Sequence, residues 1–228
     1  MIGCPGFRDF RDGTYLTNEF GAVVVFLTEA IPSSQLRITY DGPDPAQFGS
    51  SVSVNAAGYL AVGSRRGTVT LYNLSENPPN VPIRELQPGL NPLEDNYGWS
   101  VALNDDVPPM LAVGAIAQNN GEGAVYLYRN INTSPEVISA PDAATENCDS
   151  EDGCSFGFSV AFSGKTLVVG SPNTRSKSGR VFVYDLTLDD FQDQVRSLPA
   201  NPPGGSLFGR SVAISNGAIV VGSRGYSR

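Results

Sequence analysis

The stretch from Ser155 to Val183 reads SFGFSVAFSGKTLVVGSPNTRSKSGRVFV, and its pattern decides the fold of the chain. It contains three short apolar runs separated by turn-forming residues. Phe156-Gly157 opens the first run, Leu167–Gly170 forms the second, and Gly179 precedes the third. Short runs rich in Val, Leu and Phe that are bounded by Gly, Pro and Ser are typical of β-strands at close spacing.

The same unit recurs along the chain, with three glycines as markers. The glycine after the aromatic residue of the first run falls at Gly49, Gly98, Gly157 and Gly209. The glycine that closes the second run falls at Gly3, Gly63, Gly114, Gly170 and Gly222, and the one that opens the third run falls at Gly21, Gly67, Gly123 and Gly179. All three series keep a period of roughly 50 residues, which is typical of propeller arrays.

A fourth, outer run completes each repeat, at residues 35–40, 83–86, 136–138 and 194–198. Four antiparallel strands joined by tight turns form one twisted sheet, which cannot bury both faces alone. Radial stacking of such sheets buries them face to face. We therefore predict an all-β fold, a β-propeller with about four four-stranded antiparallel blades over residues 1–228 as a single region. Its repeats start near residues 48, 97, 156 and 208.

Partial repeats stand at both ends of the sequence, because Gly3 and Gly222 both close a second run. Two arrangements account for this. In the first, the chain is part of a longer protein that supplies further blades. In the second, the ring closes at four, and residues 21–40 complete the strands of residues 207–223 in one shared blade. The first is favoured, since the second run is present at each end.

Composition and charge narrow the classes of function. The chain has 15 basic and 23 acidic residues, a net charge of −8. This balance argues against nucleic acid or an anionic membrane as a partner, since both require concentrated Lys and Arg. No apolar run of 18 residues occurs, so no membrane span is expected. The sequence has no His and no phosphate-binding loop motif, and we predict a protein without catalytic residues or cofactor.

The cysteines and two glycosylation sequons bear on the compartment. Cys148 and Cys154 flank a polar turn with a glycine, which could bring them together as a disulfide; two free surface thiols are the alternative. The third cysteine, Cys4, has no partner in this pairing. One interpretation is that its partner lies outside this chain. Sequons begin at Asn73 and Asn132. Together these features favour an extracellular or cell-surface location.

One position varies within the otherwise regular repeat. The residue after Phe/Tyr-Gly is Ser50, Trp99, Phe158 or Arg210. Trp and Arg are frequent anchors at protein interfaces. The alternative is that Trp99 and Phe158 simply pack between blades, since aromatic residues dominate cores.

The loops between second and third runs vary as well, at Phe7–Phe20, Arg65-Arg66, Ile116–Glu122 and Pro172–Ser178. All of them should emerge at one rim of a propeller, where rigid scaffolds often carry recognition loops. We therefore predict partner binding by Trp99, Phe158, Arg210, Arg65 and Arg66.

The repeat resembles a known family. Phe-Gly-x-Ser-Val-Ala, then Leu-Val-Val-Gly-Ser-Pro, then Gly-x-Val-Phe-Val-Tyr is similar to the FG-GAP repeat, which builds the propeller of integrin α subunits and of surface proteins of microbes and protists. The resemblance implies a non-catalytic extracellular or cell-surface binding or adhesion propeller, with a protein or glycan ligand at its loop rim. The alternatives are a structural surface or wall array without a discrete site, and a propeller hydrolase using carboxylates such as Asp9, Asp12, Asp189 and Asp190.

Calcium is common in the family, in an Asp-x-Asp-x-Asp-Gly loop between the first two strands. Here only one of these connections, Asn104–Pro109, contains carboxylates, and it lacks the glycine and the further oxygen ligands. Because Ca²⁺ requires six to eight oxygen ligands, no metal site is expected. The acidic turn with Asp149, Glu151 and Asp152 is interpreted as solvated.

Overall fold

The computed structural model describes residues 2–4, 10–11, 14–15, 21–26, 35–39, 47–65, 67–87, 94–142, 148, 153–198 and 203–225. Nearly all of its regular structure is β-strand. A helical turn lies over Thr174–Lys177. None of the helices in the described part of the chain has the length and hydrophobicity that crossing a membrane requires.

The strands form antiparallel sheets that follow the repeat, and we call the repeat sheets blades. Blade 1 contains β1 (Ile2–Cys4), β4 (Ala22–Phe26) and β5 (Gln35–Thr39). Blade 2 contains β6 (Phe48–Val54), β7 (Tyr59–Ser64), β8 (Thr68–Asn73) and β9 (Pro82–Leu86). Blade 3 contains β10 (Tyr97–Leu103), β11 (Leu111–Ala115), β12 (Ala124–Tyr128) and β13 (Glu136–Ser139).

Blade 4 contains β14 (Ser159–Ser163), β15 (Thr166–Ser171), β16 (Arg180–Asp185) and β17 (Arg196–Ser197). Blade 5 is the pair β18 (Phe208–Ser215) and β19 (Ala218–Ser223). A separate hairpin joins β2 (Phe10–Arg11) to β3 (Thr14–Tyr15). The all-β class and the four-stranded antiparallel sheets predicted from the repeat are confirmed, and each complete sheet follows the order of its strands in the sequence.

The hydrophobic core is divided into layers between successive blades. Val23 and Val25 of blade 1 pack against Leu60 and Val62 of blade 2 in the first layer. The second layer joins blades 2 and 3, the third joins blades 3 and 4, and the fourth joins blades 4 and 5. The middle strand of a complete blade therefore buries both faces, which explains its continuous apolar run.

A glycine and a serine allow each blade to approach the next one closely. A Cβ at Gly114 would lie 2.0 Å from the carbonyl oxygen of Gly157 in the following blade. The Ser100 hydroxyl donates to the same carbonyl oxygen at 2.7 Å. Blades 2 and 4 repeat this hydrogen bond, from Ser51 to Gly98 and from Ser159 to Gly209, both at 2.8 Å.

Blades 1 and 5 remain separate sheets. The strands of blade 1 pair with one another, and β18 and β19 pair only with each other among the described strands. The shared blade of a ring closed at four does not form in this part of the chain. On the outer face of blade 5, Val220 is 68% exposed, whereas the equivalent Val168 of blade 4 is fully buried.

The disulfide predicted from the polar turn is present. Cys148 and Cys154 are bonded, with their Cα atoms 4.8 Å apart. Cys154 is buried, and its N–H donates to the carbonyl oxygen of Gly121 at 2.8 Å. The bridge therefore anchors the start of blade 4 against the loop between the second and third strands of blade 3.

Candidate functional site

A tight turn at the start of each repeat positions the variable residue. The residue before the aromatic one has a left-handed backbone, with φ of 53° at Asn96 and 56° at Ser155. The glycine after the aromatic residue has φ of 89° at Gly98, a conformation that side-chain-bearing residues rarely adopt. The Trp99 N–H then closes the turn on the Asn96 carbonyl at 3.3 Å.

A β-bulge follows from this turn. In blade 3 the strand register changes between Tyr97 and Ser100, so Trp99 lies in the bulge. Blade 5 has the same irregularity between Phe208 and Ser211, around Arg210. Bulges redirect side chains and are frequent next to functional sites. Here the bulge turns the variable residue toward the rim, while the following serine faces the next blade.

Four of the five residues predicted to bind a partner lie in one row along the rim. The Trp99 and Phe158 rings contact each other, with centroids 5.2 Å apart. The guanidinium carbon of Arg65 lies 4.1 Å from the Trp99 ring centroid. That of Arg210 lies 5.0 Å from the Phe158 ring centroid. We call Arg65, Trp99, Phe158 and Arg210 the rim row; Arg66 lies outside the described residues.

The rings of the rim row pack across blades without entering the core. Trp99 and Phe158 are each half-buried, and neither belongs to the four hydrophobic layers between blades. The alternative interpretation, that Trp99 and Phe158 simply pack between blades, therefore accounts for only the buried part of each side chain. Arg65 and Arg210 are exposed at the two ends of the row.

The rim row lines a pocket of about 860 Å³. Three of the predicted rim loops contribute to its walls, through Arg65, through Ile116–Gly121 and through Asn173 and Lys177. The Gly121 carbonyl accepts from the Cys154 and Ser155 N–H groups at 2.8 and 3.0 Å, which fixes one wall. The fourth loop, Phe7–Phe20, is described only at the hairpin of β2 and β3.

Polar side chains complete the pocket; none of them was predicted individually from the sequence, although Asn120, Asn173 and Lys177 lie in predicted rim loops. These side chains include Asn96, Asn120, Asn173, Ser155 and Lys177. The Asn173 amide nitrogen donates to the Ser155 hydroxyl at 3.0 Å, which ties blade 4's loop to the segment before its first strand. One sequence position could have predicted part of this lining. The residue before the Phe/Tyr-Gly pair lines the pocket in three repeats, as Asn96, Ser155 and Leu207.

The connections at the opposite end of the blades join neighbours. The Asn55 amide nitrogen donates to the Asn104 carbonyl oxygen at 3.0 Å, and the Asn104 amide nitrogen donates to Gly164 at 3.2 Å. Asp105 accepts from a backbone N–H of blade 2 at 3.1 Å. The hydrogen bond from Lys165 lowers the pKa of Asp106. These asparagines and carboxylates therefore hold blades together.

The described residues contain no group of three His, Cys, Asp or Glu side chains that could hold a metal ion. Asp149, Glu151 and Asp152 lie outside the described residues, as do Asp9 and Asp12. Asp189 and Asp190 are exposed in the turn after β16, and Asp190 accepts from the Gln194 amide at 2.6 Å. This pair does not line the pocket.

The two sequon asparagines lie away from the pocket. Asn132 is exposed in the turn between β12 and β13. Asn73 ends β8, and its side-chain oxygen accepts from the Ser75 N–H at 3.0 Å. Modification at these positions stays a prediction.

Comparison with known proteins identifies the repeat. Residues 93–128 and 137–184 match the FG-GAP repeat. Residues 93–184 belong to the FG-GAP repeat family. The matched segments contain β10–β12, β14, β15 and β16 up to Tyr184, so the three inner strands of blades 3 and 4 are strands of FG-GAP repeats, which form propeller blades.

The FG-GAP assignment agrees with a similarity in fold. The crystal structure of the computationally designed Ika4 protein is similar over 83% of this chain and 92% of that chain, with a TM-score of 0.50. The two sequences are 12% identical, so the similarity concerns the fold alone. No curated protein matches the sequence of this chain.

Proposed function

We propose that this FG-GAP chain is a non-catalytic binding propeller that recognises a protein or glycan ligand at its rim, outside the cell or at its surface. The observation that carries the proposal is the rim row. The one variable position of the repeat supplies Trp99, Phe158 and Arg210 from three successive blades, and they meet in one pocket with Arg65.

The composition of the pocket supports binding. Half-buried aromatic rings give a ligand a large contact area at little cost in conformational entropy. Binding pockets typically combine apolar walls with a few polar groups that fix orientation. Asn96, Asn120 and Asn173 provide such groups around the rings. A structural array without a discrete site would not need this convergence.

The disulfide supports the proposed location. Disulfides persist in oxidising compartments such as the extracellular space. The Cys148–Cys154 bridge ends one residue before Ser155, which lines the pocket. An extracellular setting would therefore keep the bridge, and with it one wall of the pocket, intact.

An array of immobilised oligosaccharides and peptides tests the proposal. We expect labelled chain to bind at least one probe, and the Trp99→Ala/Phe158→Ala variant to lose that binding at least tenfold. Val107→Ala is the matched control, because Val107 is 70% exposed at the opposite end of blade 3. Each variant is first compared with the parent by thermal unfolding, and Phe158→Leu replaces the double variant if that one unfolds.

Two results would overturn the proposal. The first is the absence of binding to any probe on the array. The second is undiminished binding by the folded variant without the rings, which would remove the rim pocket from recognition.

A further inference from the structure

We infer that the rim pocket binds an acidic sugar, one that carries a carboxylate or a sulfate on its ring. This inference rests on the proposed function and gives its ligand a chemical class. Three features of the pocket carry it: its charge, the way its arginines are held, and its combination of rings with amides.

The described lining of the pocket carries positive charge, whereas the whole chain is acidic. Arg65, Lys177 and Arg210 line it, and none of the described residues that line it is an Asp or a Glu. The whole chain has a net charge of −8. A solvated surface of average composition for this chain would contain more carboxylates than cations. The excess of cationic side chains among the described lining residues therefore favours an anionic ligand, because opposite charges attract across an interface.

The two arginines are held in place while their donors stay available. Each guanidinium lies over an aromatic ring, Arg65 over Trp99 and Arg210 over Phe158. A cation–π contact of this kind holds the guanidinium beside the ring without using a hydrogen-bond acceptor. Among the described residues, neither Arg65 nor Arg210 forms an ion pair with a carboxylate. Planar N–H donors of this kind match carboxylate and sulfate oxygens in a bidentate manner.

The remaining lining favours a sugar over other anions. The parts of the Trp99 and Phe158 rings that line the pocket offer apolar surface for the C–H groups of a pyranose ring. The amides of Asn96, Asn120 and Asn173 each contain donors and an acceptor, which suit the paired hydroxyls of a sugar. An acidic peptide would satisfy the arginines but would leave less use for this set of amides.

Titration followed by tryptophan fluorescence tests the inference, since Trp99 is the one tryptophan of the chain and belongs to the rim row. The probes are a heparin octasaccharide for sulfate, an oligogalacturonate for carboxylate, a dextran-derived oligosaccharide as the neutral sugar, and poly-glutamate as the acidic peptide. We expect at least one acidic sugar to bind at least tenfold more tightly than the neutral sugar and poly-glutamate. Binding should weaken as salt concentration rises.

The Arg65→Gln/Arg210→Gln variant should weaken binding of that acidic sugar at least tenfold. Arg129→Gln is the control, because Arg129 pairs with Glu136 at 2.6 Å and does not line the pocket. Thermal unfolding confirms that each variant is folded. The single variants Arg65→Gln and Arg210→Gln serve if the double variant is not folded.

The outcomes separate this inference from the proposed function. Equal binding of the neutral sugar, lost on removal of the rings but not of the arginines, would overturn the acidic ligand and keep the binding pocket. Tighter binding of poly-glutamate would replace the sugar by a peptide. Failure of both acidic sugars to bind would overturn the inference, while the wider array decides the proposed function.

Discussion

Two neighbouring positions of the repeat contribute to different parts of the molecule. The residue after Phe/Tyr-Gly faces the rim, and the serine that follows it faces the next blade. Ser100 and Ser159 make the same hydrogen bond across two successive interfaces. One residue earlier, Trp99 and Phe158 form the rim row. The constant position therefore assembles the blades, and the variable one gives the rim its chemistry.

The largest expected effect comes from the glycine that closes the second strand. In Gly114→Ala the new Cβ would meet the Gly157 carbonyl at 2.0 Å, and a backbone atom cannot move aside cheaply. We expect a loss of about 3 kcal/mol in the free energy of unfolding, measured in urea. Gly222→Ala is the matched control, because the nearest atom to its Cβ is the Ser211 hydroxyl of the same sheet. Equal losses in both variants would contradict a role at the interface between blades.

Removal of the disulfide should alter the rim pocket without changing the serine hydrogen bonds between blades. Replacing both cysteines, in Cys148→Ser/Cys154→Ser, is expected to cost about 2 kcal/mol of stability, since it frees a short loop in the unfolded chain. Because Gly153 and Ser155 line the pocket, the Trp99 emission spectrum should shift in the folded variant. A reducing agent should have the same effect on the parent chain and none on the variant. An unchanged spectrum would separate the bridge from the pocket.

Much of this division could be predicted from sequence. The spacing of glycines gives the strand order and the rim loops, because a repeat of constant length returns each position to the same place on successive blades. Trp99, Phe158 and Arg210 were found because they break the pattern. Lys177 and Asn120 lie in predicted rim loops, but the sequence did not single them out, because loop residues that follow no pattern reach the pocket only through the local turns.

The contacts that hold neighbouring blades together were harder to predict from the sequence. Ser100 repeats as regularly as the glycines, but a repeated serine in a strand indicates neither its partner nor its direction. That its hydroxyl reaches the carbonyl of Gly157 depends on the spacing between blades, which is a property of tertiary structure. Similarly, Asn104 begins the one connection between first and second strands that contains carboxylates, but nothing in the sequence indicates that its amide links blade 3 to Gly164 of blade 4.

A smaller effect is expected when the serine itself is changed. Ser100→Ala removes a buried hydrogen bond and leaves the Gly157 carbonyl without that donor, so we expect a loss of about 1.5 kcal/mol. Ser211→Ala, at the equivalent position on the exposed face of blade 5, should change stability by less than about 0.5 kcal/mol. Urea unfolding of both variants measures the difference. Similar losses would mean that the serine stabilises its own sheet and not the interface.

The smallest expected change in stability concerns the aromatic position before the glycine. This position is aromatic in every repeat, but its residue differs between blades 3 and 4. The aromatic residue before the glycine is Tyr97 in blade 3 and Phe156 in blade 4. Tyr97 is buried, and its hydroxyl lies 2.9 Å from that of Tyr128. Tyr184 of blade 4 packs against Phe156, and its buried hydroxyl has no hydrogen-bond partner among the described residues. Burial raises the pKa of both Tyr97 and Tyr184.

Removing the Tyr97 hydroxyl and removing the Tyr184 hydroxyl should therefore change the free energy of unfolding in opposite directions. Tyr97→Phe leaves the Tyr128 hydroxyl without this partner and should lower the free energy of unfolding by about 1 kcal/mol. Tyr184→Phe removes an unsatisfied buried hydroxyl and should raise it by about 1 kcal/mol. Urea unfolding at neutral pH, where both tyrosines are protonated, measures each change. A loss of stability in Tyr184→Phe would show that its hydroxyl has a partner, such as a buried water, and that blades 3 and 4 satisfy this position in different ways.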